Sequence, residues 1–359
     1  MTAVGNAAAI VAAWGERVRE AAAHDRPLRI IGGGTKDFYG QELIGEALST
    51  GDYIGVVDYD PTEMVITARC GTPLDEVERA LDAGGQMLGF EPPHFGPKTT
   101  FGGCVAAGLS GPRRPYAGAV RDLVLGVRLL DGRGDDLAFG GRVMKNVAGF
   151  DVSRLMVGAL GTLGIVLEAS MRCLPRPRME ATRVLELSSD AAIRCMNEWG
   201  AKPLPISATW YFEGRLYVRM SGADVAVATA ARAIGGAPLA DSAELWTSVR
   251  DQTHAFFAGD DTALWRLSVR STAPHAELGG RQAVEWGGAL RWLKGKDVVA
   301  EELRAWARKH AGHATLFRGD RSGGAFQPLD AATLTIHRRL KANFDPAGVF
   351  NRHRMYRDF

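Results

Sequence analysis

Between residues 7 and 24, the apolar side chains Ile10, Val11, Trp14, Val18 and Ala21 recur at helical spacing, with Glu16, Arg17, Arg19 and Glu20 between them. That period predicts an amphipathic helix, closed at His24-Asp25-Arg26-Pro27. No basic leader precedes it, so the segment reads as a helix rather than a signal peptide. Leu28 to Ile31, Tyr53 to Tyr59 and Met64 to Cys70 read as strands. Thr72-Pro73-Leu74-Asp75-Glu76 offers an N-cap Thr, a first-turn Pro and early acids. It predicts a helix from there to about Ala83, stopped by Gly84-Gly85. Val120 to Leu130 is strand-like, and Asp151 to Met156 has the look of one or two helical turns. Ile165 to Leu174 alternates, which puts Ile165, Leu167, Ala169, Met171 and Cys173 on one face of a strand.

The pattern changes at Leu174-Pro175-Arg176-Pro177-Arg178, where two prolines bar helix continuation and central-strand pairing. Beyond it tryptophans accumulate (Trp199, Trp210, Trp246, Trp265, Trp286, Trp292, Trp306) and helices alternate with strands. These rings suit either the domain's own core or an interface. Asp345-Pro346-Ala347-Gly348 breaks the last helix and leaves a short basic tail. A chain of 359 residues is long enough for two domains, and the net charge of +2 argues against a nucleic-acid partner. The four cysteines (Cys70, Cys104, Cys173, Cys195) are dispersed. They match no zinc or cluster spacing and fit a reducing, cytoplasmic setting. No segment has the length needed to span a bilayer. Basic residues gather at Arg113-Arg114, at Arg172 to Arg178 and at Asn351-Arg352-His353-Arg354, as solvated surface or as an anion or docking site.

Three glycine clusters carry the chemistry: Gly32-Gly33-Gly34-Thr35, the run from Gly102-Gly103 through Gly108 to Gly111, and Gly158-Ala159-Leu160-Gly161-Thr162-Leu163-Gly164-Ile165. Asp37 breaks a Gly-x-Gly-x-x-Gly fingerprint, and no Gly-Lys-Ser/Thr ends the first run. Glycine lets a backbone pass close to something that is not protein. Three such runs suggest a large anionic cofactor held by main-chain amides.

Those clusters resemble flavoproteins of the vanillyl-alcohol-oxidase/p-cresol-methylhydroxylase type. The likeness extends to Lys145-Asn146-Val147-Ala148-Gly149-Phe150-Asp151-Val152 and to Phe344-Asp345-Pro346-Ala347-Gly348-Val349-Phe350-Asn351. Within that family, Tyr59-Asp60-Pro61-Thr62-Glu63, Glu91-Pro92-Pro93-His94, Leu109-Ser110-Gly111-Pro112-Arg113-Arg114-Pro115 and Trp286-Gly287-Gly288-Ala289-Leu290-Arg291-Trp292 are most similar to the flavin subunits of glycolate oxidase. The resemblance implies an α+β fold. Residues 1–178 would form a two-subdomain FAD-binding domain (about 1–70 and 71–178), 179–335 an α+β cap, and 336–359 a tail returning to the first domain. It implies FAD bound by Gly32, Gly33, Gly34, Thr35, Lys36, Pro92, Gly102, Gly103, Gly108, Lys145, Gly158, Gly161, Thr162, Gly164 and Ile165. The pyrophosphate loop has no His or Cys, so the FAD is expected to be non-covalent. Cys104 and His94 are the nearest attachment candidates.

Oxidation of a small 2-hydroxy acid needs a cation for the carboxylate, a base for the hydroxyl proton, and close approach of Cα–H to the flavin. Arg113, Arg114 and Arg291 are candidate clamps, and His313 and His94 candidate bases, each against an ordinary structural role. The resemblance implies oxidation of glycolate to glyoxylate by hydride transfer to flavin. The chain carries no nicotinamide fingerprint and no cluster ligands. Electrons would therefore leave through a second flavin subunit and an iron–sulfur subunit, through which the protein would reach the inner face of the membrane. Gly312-His313-Ala314-Thr315-Leu316-Phe317-Arg318-Gly319-Asp320 keeps only a degraded form of the family's metal motif, so no metal is expected. A stand-alone 2-hydroxy-acid dehydrogenase, such as one for D-lactate, and a non-catalytic relay subunit are the competing readings.

Overall fold

The computed structural model describes residues 3–141, 152–259, 262–296 and 298–359. The first helix spans Ala3–Ala23. Its apolar stripe of Val11, Trp14, Val18 and Ala21 is buried against Leu28, Leu48, Tyr53, Leu167 and Phe350. Leu28–Ile31 follows as predicted and pairs in parallel with Glu46–Ser49, a strand that the sequence did not announce.

A five-stranded antiparallel sheet runs in the order Val56–Asp60, Val65–Arg69, Ile165–Arg172, Val124–Leu130, Asp136–Gly140. One face packs on the helices Leu74–Ala83 and Phe101–Ala107, the other on the N-terminal helix. Four local readings are corrected here. The strand expected from Tyr53 begins at Val56, because Gly55 turns the chain at φ +121° and Tyr53 is buried against Trp14 instead. Thr72 caps no helix: its hydroxyl bonds Gly55, and Pro73, at ψ 135°, stands before Leu74. Val120–Leu123 is a helical turn, with the Ala119 amide bonded to the Asp122 carboxylate, and the strand starts at Val124. The apolar positions from Ile165 do not share one face. The register against Val124–Leu130 slips at Leu167, so Ile165 and Leu167 join the N-terminal helix while Ala169, Met171 and Cys173 join the opposite core.

An eight-stranded antiparallel sheet runs in the order Ala237–Leu239, Met179–Glu186, Arg215–Gly222, Ile206–Phe212, Arg281–Glu285, Leu290–Gly295, Ala263–Ser268, His313–Arg318. Its outer face is covered by the helices Ser189–Gly200, Asp224–Ile234 and Ala300–Lys309. Its inner face carries Trp210, Leu264, Ala283, Trp292 and Phe317, which pack against Tyr39, Ala107 and Leu109 of the N-terminal half. The tryptophans therefore serve the chain's own core: Trp199, Trp210, Trp246, Trp265, Trp286 and Trp292 are buried. The last helix, Ala331–Phe344, ends at Asp345 as the Asp-Pro pair predicts. No helix of the described residues is long and apolar enough to cross a membrane.

Candidate functional site

The strand Leu28–Ile31 runs directly into Gly32-Gly33-Gly34-Thr35, and the amides of Gly32 to Lys36 donate to no protein group among the described residues. Five consecutive free donors, with Gly34 at φ +69°, make a concave main-chain anion site. Across from it stands the helix Phe101–Ala107. It is capped by Thr100, whose hydroxyl accepts from the Gly103 amide at 3.2 Å. Leu160, Gly161, Gly164 and Ile165 close a third side. The result is one open cleft of about 790 Å³.

The closeness of these walls explains the glycines better than cofactor contact does. A Cβ on Gly32 would stand 2.4 Å from the Thr100 hydroxyl, one on Gly33 1.5 Å from the Lys98 carbonyl oxygen, and one on Gly102 2.4 Å from Cys70 Cβ. The expectation that each glycine makes room for something other than protein is thus corrected at these three positions: they let protein segments approach one another. Gly34 differs, since its Cβ would meet nothing nearer than the Asp37 carboxylate at 3.7 Å.

The C-terminal segment completes the cleft. The Asn351 side chain accepts from the Ile30 amide at 2.8 Å and donates to the Leu160 carbonyl at 2.6 Å, joining the first and third glycine segments. Arg354 is buried and donates to the carbonyls of Asp37, Tyr39 and Gln41. Arg321, from the second half of the chain, donates to Asp37, Phe38 and Gln41. Buried Lys341 donates to Thr162 and Phe350 carbonyls and to Asp345, whose carboxylate also takes the Val349 and Phe350 amides. The basic tail is structural glue rather than solvated surface.

Of the expected cofactor residues, Gly32, Gly33, Gly34, Thr35, Lys36, Gly102, Gly103, Gly161, Gly164 and Ile165 line the cleft together. Pro92, Gly108, Gly158 and Thr162 do not: Gly108 and Gly158 cross backbone to backbone, and the Thr162 hydroxyl bonds the Ala159 carbonyl. Lys145 lies outside the described residues. Cys70, which sequence reasoning did not single out, also lines the cleft, and burial pushes its thiol up to about 12. Cys104 is buried with its thiol likewise at about 12. His94 sits 2.9 Å from Glu78, away from the cleft.

The candidate catalytic residues do not meet. Arg291 is buried and bonds the Gly288 and Ala273 carbonyls, each at 2.8 Å. Arg113 belongs to an ion network with Glu91 and Glu180. His313 is exposed at the start of the last strand of the larger sheet. Arg114 lies over the Trp286 ring at 4.4 Å. What the sequence reading missed is a smaller cavity between the two halves, lined by Phe95, Arg250, Arg266, Glu285, Trp292 and Phe317, among others. Arg266 and Glu285 share their inward faces with Leu264 and Ala283, a signal readable from Leu264-Trp265-Arg266-Leu267 and Ala283-Val284-Glu285 once the register is known.

The row of free amides fits the diphosphate of a flavin dinucleotide, and the cleft beside it runs on between the other two glycine segments. Comparison with known proteins agrees. The profile of the FAD binding domain family matches residues 7–139. Glycolate oxidase subunit GlcE of Escherichia coli (strain K12) is 47% identical over 95% of this chain and 96% of its own length. Glycolate oxidase subunit GlcD of Bacillus subtilis (strain 168) is 31% identical over 50% of this chain and 38% of its own. Among solved structures, 4-ethylphenol oxidase from Gulosibacter chungangensis aligns with a TM-score of 0.70 at 14% identity, over 96% of this chain and 87% of that one. An alkyldihydroxyacetonephosphate synthase aligns at 0.65, also at 14% identity, over 94% and 73%. The chain belongs to the family of the glycolate oxidase subunit GlcE, α+β flavoproteins with an FAD-binding domain of the p-cresol-methylhydroxylase type.

Proposed function

We propose that this chain is the FAD-holding subunit of a multi-subunit glycolate oxidase, taking part in oxidation of glycolate and similar 2-hydroxy acids in the cytoplasm. The observation that carries the reading is the single cleft in which the free amides of Gly32 to Lys36 face the other two glycine segments. The amides bind the diphosphate, and Lys36, whose ammonium lies 5.7 Å from the Phe95 ring centroid, stands at the cleft's inner wall. FAD, when bound, supplies the acceptor for a hydride from the substrate. Binding is non-covalent, a reading supported by the neutral, buried thiols of Cys70 and Cys104.

No cluster of three or more metal-ligating side chains occurs among the described residues. Electrons leave through partners: a second flavin subunit and an iron–sulfur subunit. The full-length likeness to GlcE and the partial likeness to GlcD support this division of labour. Anaerobic addition of glycolate to the purified, flavin-loaded chain tests the reading. Bleaching of the visible flavin band is expected of a subunit with its own substrate site. A yellow chain that does not bleach would favour the relay reading.

A further inference from the structure

The cavity between the two halves holds an unusual pair. Glu285 is 4% exposed, and its carboxylate accepts from the Trp292 indole at 2.9 Å. Arg266 lies over the Trp286 ring at 4.9 Å and makes no hydrogen bond or ion pair with any described side chain or carbonyl. A guanidinium with five donors and no acceptor, facing a cavity, is prepared for an external anion. Arg114, over the same Trp286 ring at 4.4 Å, and Arg318, over Phe38 at 4.5 Å, do not line the cavity, and the other arginines nearby are committed. Arg250 binds Asp251 at 2.8 Å, and Arg113 and Arg219 hold Glu91.

We propose that this cavity binds a small 2-hydroxy carboxylate, with Arg266 holding the carboxylate and Glu285 accepting the hydroxyl proton. The inference rests on the flavin-subunit reading above and gives that reading its substrate residues. Its walls agree: Phe95, Trp292 and Phe317 enclose a small space beside the two polar side chains, which favours a small acid over a bulky one. Position agrees as well. Phe95 walls the cavity on one side and meets the Lys36 ammonium, a lining group of the flavin cleft, on the other. Arg250 lines both this cavity and a polar surface pocket of about 920 Å³ beside Glu180 and Arg219, which provides an approach for a charged substrate.

Burial pushes the Glu285 carboxyl up to about 7, so it can take a proton near neutrality. The charged and titratable groups around it are Arg266, the Tyr39 phenol, Arg114 and His313 that feel Arg266, the paired Glu91 and the paired Arg250. In the oxidation, the O–H proton goes to Glu285, and the Cα hydrogen leaves with its electron pair to an oxidant of the flavin class. The C–O bond becomes a carbonyl, and the one thing left on the protein is the proton on Glu285, which solvent then takes.

The test is glycolate and oxalate binding to the purified full chain by calorimetry, with FAD content measured separately on the same samples. Arg266→Met is expected to weaken binding by roughly 100-fold with FAD content unchanged, because a charge-assisted bidentate contact is lost. Arg266→Lys is expected to recover part of it, which separates lost charge from lost fold. Glu285→Gln is expected to keep oxalate binding and flatten its fall with rising pH near 7. Unchanged binding in Arg266→Met, or a flavin-loaded chain that binds neither acid, overturns the assignment. A chain that binds glycolate through Arg266 but retains no FAD upholds the site and overturns the flavin reading instead.

Discussion

Asn351 accepts a hydrogen bond from the Ile30 amide at 2.8 Å, across 321 residues of sequence. The same side chain donates to Leu160 at 2.6 Å, so one amide group sets the spacing of two cleft walls. Asn351→Ala leaves both main-chain groups without that partner. FAD affinity is expected to fall roughly 10- to 100-fold, from about 1–3 kcal/mol of lost hydrogen bonding. Fluorescence titration with FAD reads this directly.

Glycines in the first cluster have separable roles. Gly33→Val drives a side chain into the Lys98 carbonyl, since a Cβ there would stand 1.5 Å from its oxygen. That variant is expected to lose melting temperature even without FAD. Gly34→Ala has room, with 3.7 Å to Asp37, but holds φ +69°. It should fold at a cost of about 1 kcal/mol. Equal thermal unfolding of the two flavin-free variants would contradict this separation.

Much of this was legible in the chain. The N-terminal helix, the first strand, the helix to Ala83 and the stop at Asp345 follow from period and breakers. The glycine segments were readable as cleft walls because glycine there answers a steric demand that other residues fail. Other features were not local. Glu46–Ser49 is a strand because Leu28–Ile31 pairs with it, and the bulge at Leu167 arises only against its partner strand. Arg113 and Arg291 look like free cations in sequence, yet tertiary carbonyls and carboxylates claim them. Arg266 and Glu285 were passed over because their shared face exists only after sheet assembly.

Glu285 should make stability pH-dependent. Its folded carboxyl titrates at about 7 against an ordinary 4.5, so the native chain keeps a proton that the unfolded chain releases between those values. Wild-type stability therefore falls as pH rises through that window, and the full penalty holds above it. Glu285→Gln removes the penalty. Its stability relative to wild type should grow between pH 5 and pH 8, by up to roughly 3 kcal/mol. Urea unfolding of both proteins at the two pH values checks the sign.

Arg219 reaches both Glu91 carboxylate oxygens at 2.8 Å and lies 5.0 Å from the Trp246 ring centroid. Arg219→Met leaves Glu91 to Arg113 alone. The expected cost is about 3 kcal/mol, read as a lowered urea midpoint with an unchanged slope.

The most direct test of the account is the flavin content of the purified chain. One FAD per chain, released into solution when the protein is denatured, is the predicted result, with Asn351→Ala carrying less. A chain that stays colourless after incubation with excess FAD, with its fold intact by circular dichroism, would contradict the assignment of the glycine-lined cleft.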